Sequence, residues 1–147
     1  MKQFLFLVFA ASFILSCNSE QKSQPLDQAA IDKVMADSGN YTSIQWLDST
    51  VNFGVVEENA KVNVKFRYKN TGNKPLLIAD VIPTCGCTVP EFKKEFVQPG
   101  NEGEITAQFN SMNQHTPVSK TITVRANTID KQEHFLTFTG EIKKSNQ

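Results

Sequence analysis

This chain is poor in the residues that do chemistry. Among 147 residues there are three cysteines, two histidines, one tryptophan and two tyrosines. Basic and acidic side chains balance at 15 each. That neutrality excludes a nucleic-acid binder, which needs a net basic face to neutralise phosphates. There is no polybasic run to hold anionic lipid headgroups. Gly-x-Ser-x-Gly, a phosphate loop, His-Glu-x-x-His and an EF-hand loop are all missing. Asp48, Glu57 and Glu58 are scattered acids with no partner that would tune them into an acid/base pair. His134 sits beside Glu133 at the start of a strand pattern and reads as a solvated histidine. Lys93-Lys94 and Lys143-Lys144 read as solvated surface. Asp48-Ser49-Thr50 resembles a three-residue O-glycosylation acceptor, and Asn40-Tyr41-Thr42 fits an N-glycan acceptor; both matches are short enough to arise by chance. No residue set supplies nucleophile, base and oxyanion donor together, so an enzyme is not expected.

Long hydrophobic runs are missing too. The longest, Phe4 to Leu15, is too short to cross a ~30 Å hydrocarbon core. It follows Lys2 and ends at Ser16-Cys17, with polar Asn18-Ser19-Glu20-Gln21-Lys22-Ser23 next. This is a secretory h-region closing on a small residue and a cysteine. It resembles a bacterial lipoprotein signal, which implies removal of residues 1–16 and lipidation of Cys17. Loss of Lys2 leaves a net charge near −1. One acyl chain, at ~0.8 kcal/mol per buried methylene, holds a protein only marginally; a multiply acylated cysteine holds it stably. The expected location is the cell envelope, membrane-anchored and facing the periplasm, with surface exposure left open.

Residues 17–43 read as a lipid-anchored tether. Within it, 27–38 forms a short helix if it docks: Asp27 caps the start, Ile31, Val34 and Met35 share a face, and Gly39 ends it. From Ile44 the period becomes two. Val62, Val64, Phe66 and Tyr68 alternate with polar residues, as do Ile105, Ala107 and Phe109, then Ile122, Val124 and Ala126, then Leu136, Phe138, Gly140 and Ile142. Leu76 to Ile82 is almost continuously apolar, as a strand covered on both faces would be. Turn signals at Asn70-Thr71-Gly72-Asn73, Pro99-Gly100 and Asn127-Thr128 separate the runs. The pattern predicts an all-β, immunoglobulin-like sandwich of about seven strands over residues 44–143, with a tail at 144–147. Expected strands are A near 44–53, B 62–69, C 76–82, D 95–97, E 103–109, F 118–126 and G 134–142. Trp46 falls on A, and no cysteines fall on B and F, so the antibody-type inter-sheet disulfide is not expected.

The run from Phe66 through Asn70-Thr71-Gly72-Asn73-Lys74-Pro75-Leu76, with Thr84-Cys85-Gly86-Cys87-Thr88-Val89-Pro90, resembles a bacterial Ig-like domain family of unknown function, common in Bacteroidetes envelope lipoproteins. Pro99-Gly100, Gly103, Phe109 and Val124-Arg125-Ala126-Asn127 extend the resemblance, which covers about residues 50 to 141. That family is similar to the sperm-protein and Hydin-type Ig-like domains, which implies binding or scaffolding and no catalysis. The chain departs from it at Gln114-His115-Thr116-Pro117, where a glycine is common.

Cys85-Gly86-Cys87 is the only cluster with chemistry in it. Residues i and i+2 of a strand point to one face, ~6.6 Å apart, at the far edge of disulfide geometry. Gly86 permits the bend that a bond needs. Three readings compete: a structural or disulfide pair, a pincer for copper or zinc, and a thiol-exchange centre. The C–D and E–F connections emerge at one end, so Met112 and His115 are weak extra metal ligands. No other cofactor is expected. The leading expectation is a non-enzymatic module that binds or scaffolds an unidentified envelope protein through an open edge on strand A or G.

Overall fold

A computed structural model describes residues 25–144. The expected signal, Cys17 and residues 18–24 lie outside the described residues. One helix, α1 (Gln28–Ala36), and a 3-10 turn (Ser38–Asn40) precede nine strands. These are β1 (Ile44–Trp46), β2 (Thr50–Glu57), β3 (Lys61–Asn70), β4 (Leu76–Pro83), β5 (Thr88–Glu91), β6 (Phe96–Val97), β7 (Glu102–Asn110), β8 (Val118–Ala126) and β9 (Glu133–Lys143). They form two sheets, ordered β1-β3-β7-β5 and β2-β9-β8-β4-β6. Every pairing is antiparallel except β2 with β9.

The alternating residues meet between the sheets. Phe66 and Phe109 from the first sheet, and Leu136 and Phe138 from the second, are fully buried. The rings of Phe109 and Phe138 lie 5.4 Å apart and tilted, with Phe53 of β2 5.7 Å from Phe109. Aromatic pairs at such separations add to the ~25 cal/mol per Å² that burial itself contributes. Phe53 arrives by a bulge: Gly54 takes φ 79°, and its N–H is held by the Asn52 carboxamide at 2.7 Å. The ring fills the space above Gly140, where any side chain would collide with it.

β4 is covered on both faces. Leu76, Ile78 and Val81 enter the main core, while Leu77 and Ala79 meet Ile31 and Met35 of α1 on the outside. The helix is capped by Asp27, whose carboxylate accepts from Ala30 N at 2.8 Å. Docking stabilises a helix too short to stand alone.

Three strand expectations are corrected. Strand A is two strands in different sheets. The switch occurs at Leu47-Asp48-Ser49, where both Leu47 N and Asp48 N donate to Arg67 O, at 2.9 and 3.2 Å. Strand G is not an edge, because β2 has crossed over to pair along β9. A further strand, β5, lies where Pro90 masks the pattern.

Two buried carboxamides close one end. Asn70 accepts from the Thr42 hydroxyl at 3.1 Å and donates to Lys74 O and Val97 O, both at 2.8 Å. Asn127 accepts from Leu77 N at 2.7 Å and donates to Asn40 O at 2.7 Å and Pro75 O at 3.1 Å. Removing either amide strands backbone groups away from water, at ~1–3 kcal/mol each. Asn127→Ala is therefore expected to lose about 3 kcal/mol in urea denaturation of the full chain. A loss under about 1 kcal/mol would show that water replaces the amide without cost.

Candidate functional site

Cys85 and Cys87 lie on the crossing from β4 in one sheet to β5 in the other, and they form a disulfide with Cα atoms 5.2 Å apart. Gly86 is exposed, with open space where a side chain would be, so the chain bends freely there. Cys87 packs against the core, and its carbonyl accepts from Asn110 N at 2.9 Å. The buried Thr88 hydroxyl lies 3.7 and 3.9 Å from the two sulfurs. Bonded to each other, the sulfurs present no thiolate to a metal. The Cys87–Asn110 bond puts this crossing beside the β7–β8 connection that carries Met112 and His115, as the strand order implied. Both are exposed. Among the described residues, no three His, Cys, Asp or Glu side chains gather as a metal group.

His134 is not the solvated histidine its neighbours suggest. It is 5% exposed, with Nε2 2.9 Å from the Thr128 hydroxyl and its ring 5.8 Å from Trp46. The buried indole Nε1 of Trp46 has no acceptor. Burial, reinforced by Lys131, pushes the His134 pKa below its ordinary value.

The sandwich also has an open side. β5 pairs with β7 only from Thr88↔Phe109 to Glu91↔Thr106. The chain then leaves the first sheet and joins the second as β6. This leaves β7 uncovered from Glu102 to Ile105, beside a cavity of about 630 Å³ lined by Tyr68, Phe92, Val97 and Gly103 and ringed by charged side chains. Pro90 reveals which backbone groups face it. A residue without N–H cannot exchange both bonds, so Pro90↔Ala107 is a non-hydrogen-bonded pair. The ladder bonds then belong to Gln108 and Thr106, and by alternation the N–H and C=O of Glu104 and Glu102 point the same way. Two other bonds agree: Asn110 N reaches Cys87 O, just before β5, and Arg67 O, opposite Glu104, turns away to Leu47 N. The Glu102 and Glu104 groups are thus free edge groups. On the outer edge of β5, Pro90 supplies no donor.

The floor of the seam is neutral. Burial, with Glu95 nearby, pushes the Tyr68 phenol up to about 12, so it stays protonated. Its ring lies where a side chain on Gly103 would be. Asp48 grips Arg67 at 2.6 and 3.3 Å, which lowers the Asp48 carboxyl below its ordinary value. Sequence reasoning pointed to edges in general and missed this one. Its signal, the proline in Val89-Pro90-Glu91, becomes readable only once the β5–β7 register is known.

Two sheets of this order, with the first strand divided between them, define an immunoglobulin-like β-sandwich. The chain belongs to the family described as protein of unknown function (DUF1573), whose model matches residues 44–142. Among curated proteins, none matches the sequence. A Porphyromonas gingivalis protein of unknown function shares the fold at TM-score 0.61 and 10% identity, over 71% of this chain and 49% of that one. The chain thus spans about half the length of that relative. The PapD-like domain 7 of human CEP192 is similar at TM-score 0.53 and 9% identity, over 73% of this chain and 89% of that one.

Two outcomes follow. His134 binds its proton more weakly folded than unfolded, so its contribution to stability is full above the unfolded value and is lost as pH falls through the folded one. Thermal midpoints of the full chain should fall as pH drops below about 6.5, and His134→Gln should flatten that slope. An identical slope in the variant would refute the assignment. Protein purified from an oxidising compartment should weigh two hydrogens less than its reduced form and bind no copper or zinc. Two titratable thiols with bound metal would restore the pincer reading.

Proposed function

We propose that this chain is a lipid-tethered, non-enzymatic module of the bacterial cell envelope that binds a partner protein by strand addition along the open edge of β7. The observation that carries this is the pair of outward-facing backbone groups at Glu102 and Glu104, beside a cavity large enough for a short extended segment. Main-chain bonds to such an edge supply affinity, and alternate side chains supply selectivity. The other edges are less suited. β1 has three residues and β6 two, β2 is broken by its bulge and β5 by Pro90, and the part of β3 that β1 leaves uncovered carries Lys61 and Lys65, residues that guard an edge.

The lipoprotein resemblance at Ser16-Cys17 supports the tether. Among the described residues, no helix is long and apolar enough to cross a membrane. From Cys17 to Pro25 the chain reaches at most ~28 Å when fully extended. Leu26 N donates to Lys94 O at 2.9 Å, so the described chain begins beside the segment that walls the seam. An acceptor strand and its lipid would therefore lie close together.

A photo-crosslinking side chain at Glu102, in the full lipidated chain within a bacterial envelope, should form protein adducts, whereas one at Ser119 on the second sheet should not. Glu104→Pro removes one free donor without touching the β3 ladder and should abolish the Glu102 adducts. Adducts at Ser119 alone would overturn the site. Cys17→Ser should release the protein from membranes; its retention there would overturn the tether.

A further inference from the structure

We infer that the segment taken up by this edge is short, extended and basic, with lysine or arginine on alternate positions and a small or apolar residue between them. The inference rests on the strand-addition reading and adds the chemistry of the partner.

Length comes from the ladder. β7 begins at Glu102, and β5 already occupies it from Thr106 onward. An added strand has room for about three residues, opposite Glu102, Gly103 and Glu104. Residues directly opposite one another point to the same face, with Cβ atoms ~4.5–5.5 Å apart. The two outer residues of the added strand therefore stand beside the Glu102 and Glu104 side chains, on the solvent face. The middle residue turns inward over Gly103, towards Tyr68, Phe92 and Val97. The Tyr68 ring fills the space directly over Gly103, so the middle residue packs against that ring, whose protonated phenol carries no charge.

Charge comes from the rim. Glu91 pairs with Thr106 and joins Glu102 and Glu104 on the outer face. Three of the nearby cations are already engaged: Lys65 with Glu104 at 3.0 Å, Arg67 with Asp48 at 2.6 Å, and Lys93 with Glu95 at 3.3 Å. Lys69 stands opposite Glu102 on the β3 side, so Glu91, opposite Thr106, is the acid of this rim with no cation across from it. Among the described residues, neither Glu91 nor Glu102 makes an ion pair, although the Glu102 charge acts on Arg67. Opposite-charge cross-strand pairs are favoured and like-charge pairs disfavoured, so a cationic strand fits this edge and an anionic one is repelled. Electrostatic attraction of this kind also selects partners by suppressing wrong ones.

The test uses the full lipidated chain in detergent and three labelled heptapeptides, centred on Lys-Val-Lys, Gln-Val-Gln and Glu-Val-Glu. Fluorescence anisotropy should show Lys-Val-Lys binding at least about tenfold tighter than Gln-Val-Gln, with Glu-Val-Glu weakest. Glu104→Pro should abolish binding of all three. Glu91→Lys combined with Glu102→Lys should reverse the order. Equal binding of Lys-Val-Lys and Gln-Val-Gln, both lost in Glu104→Pro, would overturn the basic preference and leave strand addition standing. Lys-Val-Lys binding that survives Glu104→Pro would mark diffuse surface attraction and overturn both, as would no binding of any peptide.

Discussion

Two carboxamides hold this sandwich to its shape. An Ig-like fold buries polar backbone wherever loops pack over the ends of the sheets, and each buried group must find a partner. Asn70 gathers the start of β1, the β3–β4 turn and the end of β6. Asn127 gathers the turn after α1, the start of β4 and the end of β8. Each amide uses both its acceptor and its donors, so neither is left with a desolvation cost. The seam depends on this end as well, because Asn70 holds the carbonyl of Val97, which stands on the seam's second-sheet wall. A residue prominent in the Asn-Thr-Gly-Asn turn thus serves architecture, and it helps to fix the open edge of β7.

Much of the sheet was legible because core packing and strand period coincide. Ile122, Val124 and Ala126, then Leu136 and Phe138, alternate and are buried as their spacing demanded. The continuous run from Leu76 was read as doubly covered, and α1 is what covers its outer side. Legibility failed where one long-range contact overrode a local pattern. Strand A looked continuous because its alternation is; the break is imposed by Arg67, about twenty residues away. His134 looked solvated because it starts a strand beside Glu133, while its own position in the period faces Thr128 and Trp46.

The sites show the same division. Adjacency in sequence made the cysteine pair visible, and the strand order put Met112 and His115 at its end of the sandwich. Sequence did not choose among bond, metal and thiol exchange, since that depends on where the sulfurs point. The open edge of β7 was harder to see. It is made of main-chain groups, which carry no residue signature, and it exists because β5 stops short and its chain changes sheets. A proline usually noted for breaking strands turns out to mark which backbone groups remain free.

The docking of α1 has a mechanical consequence. Any pull applied through the residues before Pro25 meets Leu26, tied to Lys94 O, and then the helix. From there it passes into β4 through Ile31 and Met35, and into the loops through Asn40 and Asn127. β4 lies inside its sheet, flanked by β8 and β6, whereas β1 is a three-residue edge that would peel easily. The helix thus acts as a strain relief, like the clamp where a cable enters its housing. Tension taken up by the helix is spent in shear against the best-buried strand, and not on the open edge of β7 in the other sheet.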